Sequence, residues 1–96
     1  MILASMLLLG TLASPALAIP TDSGTKSCGV EWVKIQSLGR YTVKHYFPSG
    51  TVQAVFYNSY SQYRYSHTGS HSTTWKVTAS DTLYMSSTYA YCVNYG

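Results

Sequence analysis

Three histidines, three acidic residues and two cysteines are the groups in this 96-residue chain from which acid–base, metal or thiol chemistry could be assembled. His67 and His71 flank Thr-Gly-Ser, a spacing that sets two imidazoles across a short loop or one helical turn apart. Zinc needs further ligands. His45, Glu31 or Asp81 could supply one, but HTGSH lacks the glutamate of HExxH and nothing in the spacing calls on a third group. The expectation is a polar turn, with no metal site and no cofactor. A hydrolytic triad can be drawn from the serines, the histidines and Asp81, yet there is no GxSxG elbow to present a nucleophile. A glycosidase needs two cooperating carboxylates. Outside the leader only Glu31 and Asp81 remain, and Asp81 sits in the turn-like Ala79-Ser80-Asp81. No catalytic residue is assigned, and a small extracellular hydrolase is the least favoured reading.

Cys28 and Cys92 belong to no CxxC pair, and two thiols cannot make a four-cysteine zinc site. In an exported chain the two form one disulfide. It closes a loop of 65 residues, for which chain entropy predicts about 4 kcal/mol of stabilisation.

Binding makes lighter demands than catalysis. The stretch YNSYSQYRYSHTGSH, residues 57–71, holds four tyrosines, two histidines and one arginine. Tyrosine joins an apolar ring to a hydrogen-bonding hydroxyl at little entropic cost, which suits recognition surfaces and half-buried strands alike. The candidate contact residues are Tyr57, Tyr60, Tyr63, Arg64 and Tyr65, with Tyr89 and Tyr91 as a second group. In a regular strand Tyr63 and Tyr65 point away from Arg64, and Tyr60 points with it. Arginine prefers water. The expected arrangement therefore packs Tyr63 and Tyr65 inward and leaves Arg64 outward.

The elements that must carry these residues read as strands. MILASMLLLGTLASPALA has an apolar run, a breaker at Pro15 and the small-x-small Ala16-Leu17-Ala18, the pattern of a signal peptide over residues 1–18 cleaved after Ala18. No Lys or Arg precedes the apolar run; an upstream start would supply the missing basic residues. The run is too short to span a bilayer comfortably. Removing it leaves 78 residues that retain all ten tyrosines and the net charge of +3. Residues 19–27 read as a flexible leader and 28–96 as one disulfide-linked β domain.

Beyond Cys28, Thr, Val, Tyr, Trp and Phe dominate, favouring strands over helices. GVEWVKIQS, with Val33 and Ile35 on one face, is the first strand; YTVKHYF-PSGT-VQAVFYN is the strongest hairpin signal. Alternation continues through residues 59–67, Thr68-Gly69-Ser70 reads as a hairpin loop, and STTWKVTA, TLYMS and YAYCVNY complete the set. In the last of these Ala90 and Cys92 share one face, while Tyr89, Tyr91 and Val93 share the other. The expected fold is all-β: a small antiparallel β-sandwich or partly open barrel closed by one terminal disulfide.

A secreted, extracellular binding or interaction module is the leading functional expectation, with an extracellular protein, a cell-wall polysaccharide or an anionic surface as partner. A secreted cationic toxin or bacteriocin-like antimicrobial protein is the alternative. Nucleic acid is disfavoured, because no paired nucleic-acid motif stands among the basic and aromatic residues.

Overall fold

The computed structural model describes residues 20–94. Strands β1 (Thr21–Ser27), β2 (Trp32–Tyr46), β3 (Val52–His67), β4 (Ser72–Ala79), β5 (Thr82–Leu83) and β6 (Tyr89–Val93), with a 3-10 turn at Met85–Ser87, form one six-stranded antiparallel sheet. The signal peptide expected over residues 1–18 lies outside the described residues. β2 is the spine. β3 pairs with one edge of it from Lys34 to Tyr46; the other edge is shared by β6 against residues 32–36, β5 against 39–40 and β4 against 43–46. β1 then pairs with the free edge of β4.

Alternation along β2 decides what it buries. Val33, Ile35, Ser37, Val43 and His45 are fully inaccessible to solvent and Gly39 is buried with them, while the other residues between them are half-buried or exposed. Ser37 and His45 are eight residues apart, about 26 Å along a straight strand. Yet Ser37 Oγ lies 2.7 Å from His45 Nε2. The strand must therefore double over, and it does so at Gly39–Tyr41. Tyr41 adopts φ 67°, the left-handed region that a bulky residue seldom enters. Gly39 lies so close to its neighbours that a Cβ there would stand 2.9 Å from the Thr82 carbonyl oxygen. Opposite this corner, pairing steps from Gly39↔Gln62 to Tyr41↔Asn58, so Ser59, Tyr60 and Ser61 bulge out of β3 against Arg40 alone. Asn58 secures the bulge: its Nδ2 donates to the carbonyls of Gly39 at 3.1 Å and Tyr60 at 2.7 Å.

Folding the long hairpin over brings two half-sheets face to face. The core between them is Ile35, Val43, Trp75, Val77, Ala79 and Leu83, flanked by Phe47 and Ala90. The product is a small antiparallel β domain, not a closed barrel, because β1 and β3 end the strand order unpaired with each other. The Cys28–Cys92 bond ties the end of β1 to β6, across the two halves.

Three expectations are corrected. The segment 19–27, expected as a flexible leader, contains β1. Backbone pairing needs no apolar side chains, and Gly24 leaves room for the Trp75 ring, whose Nε1 would lie 3.2 Å from a Cβ there. HTGSH is not a hairpin loop, since β3 and β4 do not pair with each other. It carries the chain over the start of β2, held by Thr68 N donating to the Val33 carbonyl and Val33 N donating to the Ser70 carbonyl. The strands read separately as GVEWVKIQS and YTVKHYF are one bent strand, β2.

Candidate functional site

Partners in a strand pair share a face of the sheet. On the outer surface of the first half-sheet, Tyr91, Lys34 and His67 therefore form one row across β6, β2 and β3, with Tyr89, Gln36 and Tyr65 forming the next. Leu38 and Tyr63 follow. Two tyrosine pairs thus stand on the outer strands, about 10 Å apart at the backbone, flanking a floor of Lys34, Gln36 and Leu38. Tyr63 and Tyr65 lie nearly parallel, their centroids 6.5 Å apart, and Tyr89 meets Tyr91 edge-on at 5.9 Å. Lys34 Nζ sits 5.4 Å from the Tyr65 centroid, a cation–π contact. Gln36 Nε2 donates to the Ser87 carbonyl at 3.1 Å, which fixes the amide between the rings.

Why the tyrosines face outward is legible in the core. Inner-face residues of this half lie opposite Ser37 and Gly39, where space is small and already filled by the ring of His45. Arg64, opposite Ser37, turns inward and is half-buried. Its Nε donates to Asn58 Oδ1 at 3.1 Å, its Nη2 to Gln62 Oε1 at 3.0 Å, and its guanidinium lies 5.4 Å from the Phe56 centroid. The expected orientation is therefore reversed: Tyr63 and Tyr65 are about half exposed, at 47% and 48%, and Arg64 is the residue turned in. Satisfied donors and an aromatic platform overcome arginine's preference for water.

Of the seven candidate contact residues, Tyr63, Tyr65, Tyr89 and Tyr91 come together on this face. Tyr57 is exposed on the other half, 6.2 Å from the Tyr41 ring, and Tyr60 is exposed on the bulge. Sequence reasoning missed Lys34 and Gln36. The usable signal was the disulfide: once Cys92 is set beside the first strand with matching parity, Tyr91 and Tyr89 must stand beside Lys34 and Gln36.

His45, Asp81 and His71 each have partners within the fold. His45 bonds Ser37 through Nε2 and Ser66 through Nδ1, each at 2.7 Å, so the neutral ring donates once and accepts once. Burial lowers its pKa to about 4. A serine beside an imidazole is the start of a nucleophilic site, but Ser37 and His45 are closed to solvent and the second ring nitrogen meets a hydroxyl, not a carboxylate. This trio holds the two half-sheets together. The hydroxyl of Thr82 and the guanidinium of Arg40, 2.6 Å away, hold the Asp81 carboxyl below its usual pKa. A glycosidic acid needs the opposite shift. His71 stacks on Trp32 at 4.0 Å, and its Nδ1 donates to the Glu31 carbonyl at 2.8 Å. Among the described residues, no three His, Cys, Asp or Glu side chains converge as a metal site requires. No protein family, curated protein or solved structure matches the chain.

Proposed function

We propose that this chain is an exported, non-catalytic binding module that holds a polysaccharide of a cell wall or cell surface on its tyrosine face. The observation that carries the reading is the convergence of Tyr63, Tyr65, Tyr89 and Tyr91 around Lys34 and Gln36. Flat rings offer their faces to the C–H surfaces of sugars, while phenol hydroxyls, the amide and the ammonium address sugar oxygens. A shallow face open along the strands accepts a polymer, where a small metabolite would ask for enclosure. The net charge of +3 favours the anionic polymers of cell envelopes. Export rests on the Ala16-Leu17-Ala18 pattern, and among the described residues no helix is long and apolar enough to cross a membrane.

Co-sedimentation of the mature protein with insoluble cell-wall preparations and with purified polysaccharides tests the reading. Binding is expected, with Tyr65→Ala or Tyr89→Ala weakening it about tenfold or more, as for a central aromatic contact. Tyr57→Ala, on the other half, should leave it unchanged. Equal loss from all three substitutions, or binding that survives both face variants, removes the face from the account. Killing of cells by the purified protein at concentrations where no polymer is bound would replace the reading with the toxin alternative.

A further inference from the structure

The second half-sheet carries a concavity of its own. On its outer surface Lys44, Thr78 and Thr21 form a row across β2, β4 and β1. Together with Thr42, Tyr46 and Ser80 they line a depression of about 240 Å³. That is below the roughly 300–1,000 Å³ of pockets that enclose a drug-sized ligand, and so it suits a single ring or acid group. Thr42 N donates to Ser80 Oγ at 3.0 Å, and Ser80 N donates to the Thr42 carbonyl at 2.9 Å, which closes one end of the floor. Serving there as acceptor, the Ser80 hydroxyl keeps its own proton to donate.

Charge in the depression is one-sided. Lys44 is half-buried in the wall, and Lys76 places Nζ 4.3 Å from the centroid of the Tyr46 ring at the rim. Among the described residues the one ion pair is Arg40–Asp81, so neither lysine has a carboxylate partner. No acidic side chain lines the depression. The two acids adjoining it in sequence are engaged elsewhere: Asp81 with Arg40, and Asp22 as acceptor from Ser23 N at 2.9 Å on the opposite parity of β1. An ammonium with no carboxylate beside it, next to hydroxyl donors, offers an oxyanion charge-assisted hydrogen bonds. Most of the remaining wall is carbon, to which Tyr46, Ala79 and the stem of Lys44 contribute. A bare inorganic anion leaves that carbon uncovered, and a sugar ring covers it.

We propose that this depression is a second binding site, one that takes a carboxylate-bearing sugar with its acid group on Lys44 and its ring against Tyr46 and the threonine methyls. The site rests on its own geometry, so it stands or falls separately from the tyrosine face.

The test is an amide chemical-shift titration of the isotope-labelled mature protein with glucuronate, glucose, inorganic phosphate and sulfate in parallel. Glucuronate should give saturable shifts centred on Thr42, Lys44, Thr78 and Ser80, with glucose, phosphate and sulfate giving far weaker ones. Lys44→Met, which keeps the stem and removes the charge, should weaken glucuronate at least tenfold, and Thr78→Val should weaken it by a smaller factor. Tyr65→Ala should leave it unchanged. An undisturbed spectrum elsewhere certifies the fold of each variant. Shifts spread over all the lysines, no saturable shift with glucuronate, or phosphate shifts as strong as those of glucuronate would each overturn the proposal.

Discussion

At the scale of single residues, the least ordinary side chain is His45, an imidazole with no exposure to solvent and a hydroxyl on each nitrogen. Its pKa falls from 6.5 to about 4 because burial opposes the charged form. Below pH 6.5 the unfolded chain takes up a proton that the folded chain refuses, so stability declines as pH drops toward 4. The decline is expected to total about 3 kcal/mol, with full stability retained above pH 7. Urea unfolding at pH 7 and at pH 4.5, read alongside the His45 ring resonances, checks this. A flat stability profile over that window would mean that the ring is not held neutral in the core. The alternation of residues 60–67 showed that Tyr63 and Tyr65 oppose Arg64, and that part holds. Which side turned inward depended on Asn58, Gln62 and Phe56 converging on the guanidinium, contacts created by a bulge that no periodicity announces.

At the scale of elements, the fold turns on the corner at Gly39–Tyr41. A methyl at Gly39 would meet the Thr82 carbonyl oxygen at 2.9 Å and Val43 Cγ2 at 3.0 Å, both held in place by strands. Gly39→Ala is therefore expected to cost about 1–3 kcal/mol, as overpacking does. Gly50→Ala meets nothing within 4 Å and serves as the matched control in chemical denaturation. Equal effects would place the corner elsewhere. The hairpin of β2 and β3 was readable, because Pro48-Ser49-Gly50 separates two alternating runs. So was the parity of β6, where Ala90 and Cys92 pair with the buried Ile35 and Val33. The bend was not. Gly39 before Arg40 and Tyr41 looks like a break between strands, and only the closeness of Ser37 and His45 reveals one strand passing through it. HTGSH likewise resembles a hairpin loop, since its composition is the same whether the chain turns back beside β3 or crosses over β2. β1 escaped notice because its pairing with β4 is a backbone matter, and TDSGTKS carries no apolar signal.

For the whole molecule, one covalent bond holds the two halves in register. Cys28 follows β1 on one half, and Cys92 lies in β6 on the other. Replacing both cysteines by alanine should cost about 4 kcal/mol through the entropy regained by the unfolded chain, a large share of the roughly 5 kcal/mol on which a small domain stands. A double variant that melts within a degree or two of the parent would show that the cross-sheet contacts suffice alone. The bond also anchors β6, whose pairing with β2 sets Tyr89 across Gln36 from Tyr65 and Tyr91 across Lys34 from His67. In the proposed function the tyrosine rings of this face form one recognition surface that the fold presents without needing it for stability. Its most direct test is the affinity of Tyr65→Ala combined with Tyr89→Ala for the bound polysaccharide, measured together with the unfolding free energy of the same double variant. Affinity is expected to fall by about a hundredfold, from two contacts each worth about 1.4 kcal/mol, with stability changed by less than about 1 kcal/mol in all, as for two exposed positions. Unchanged affinity, or an affinity loss that only tracks a loss of folding, would contradict it.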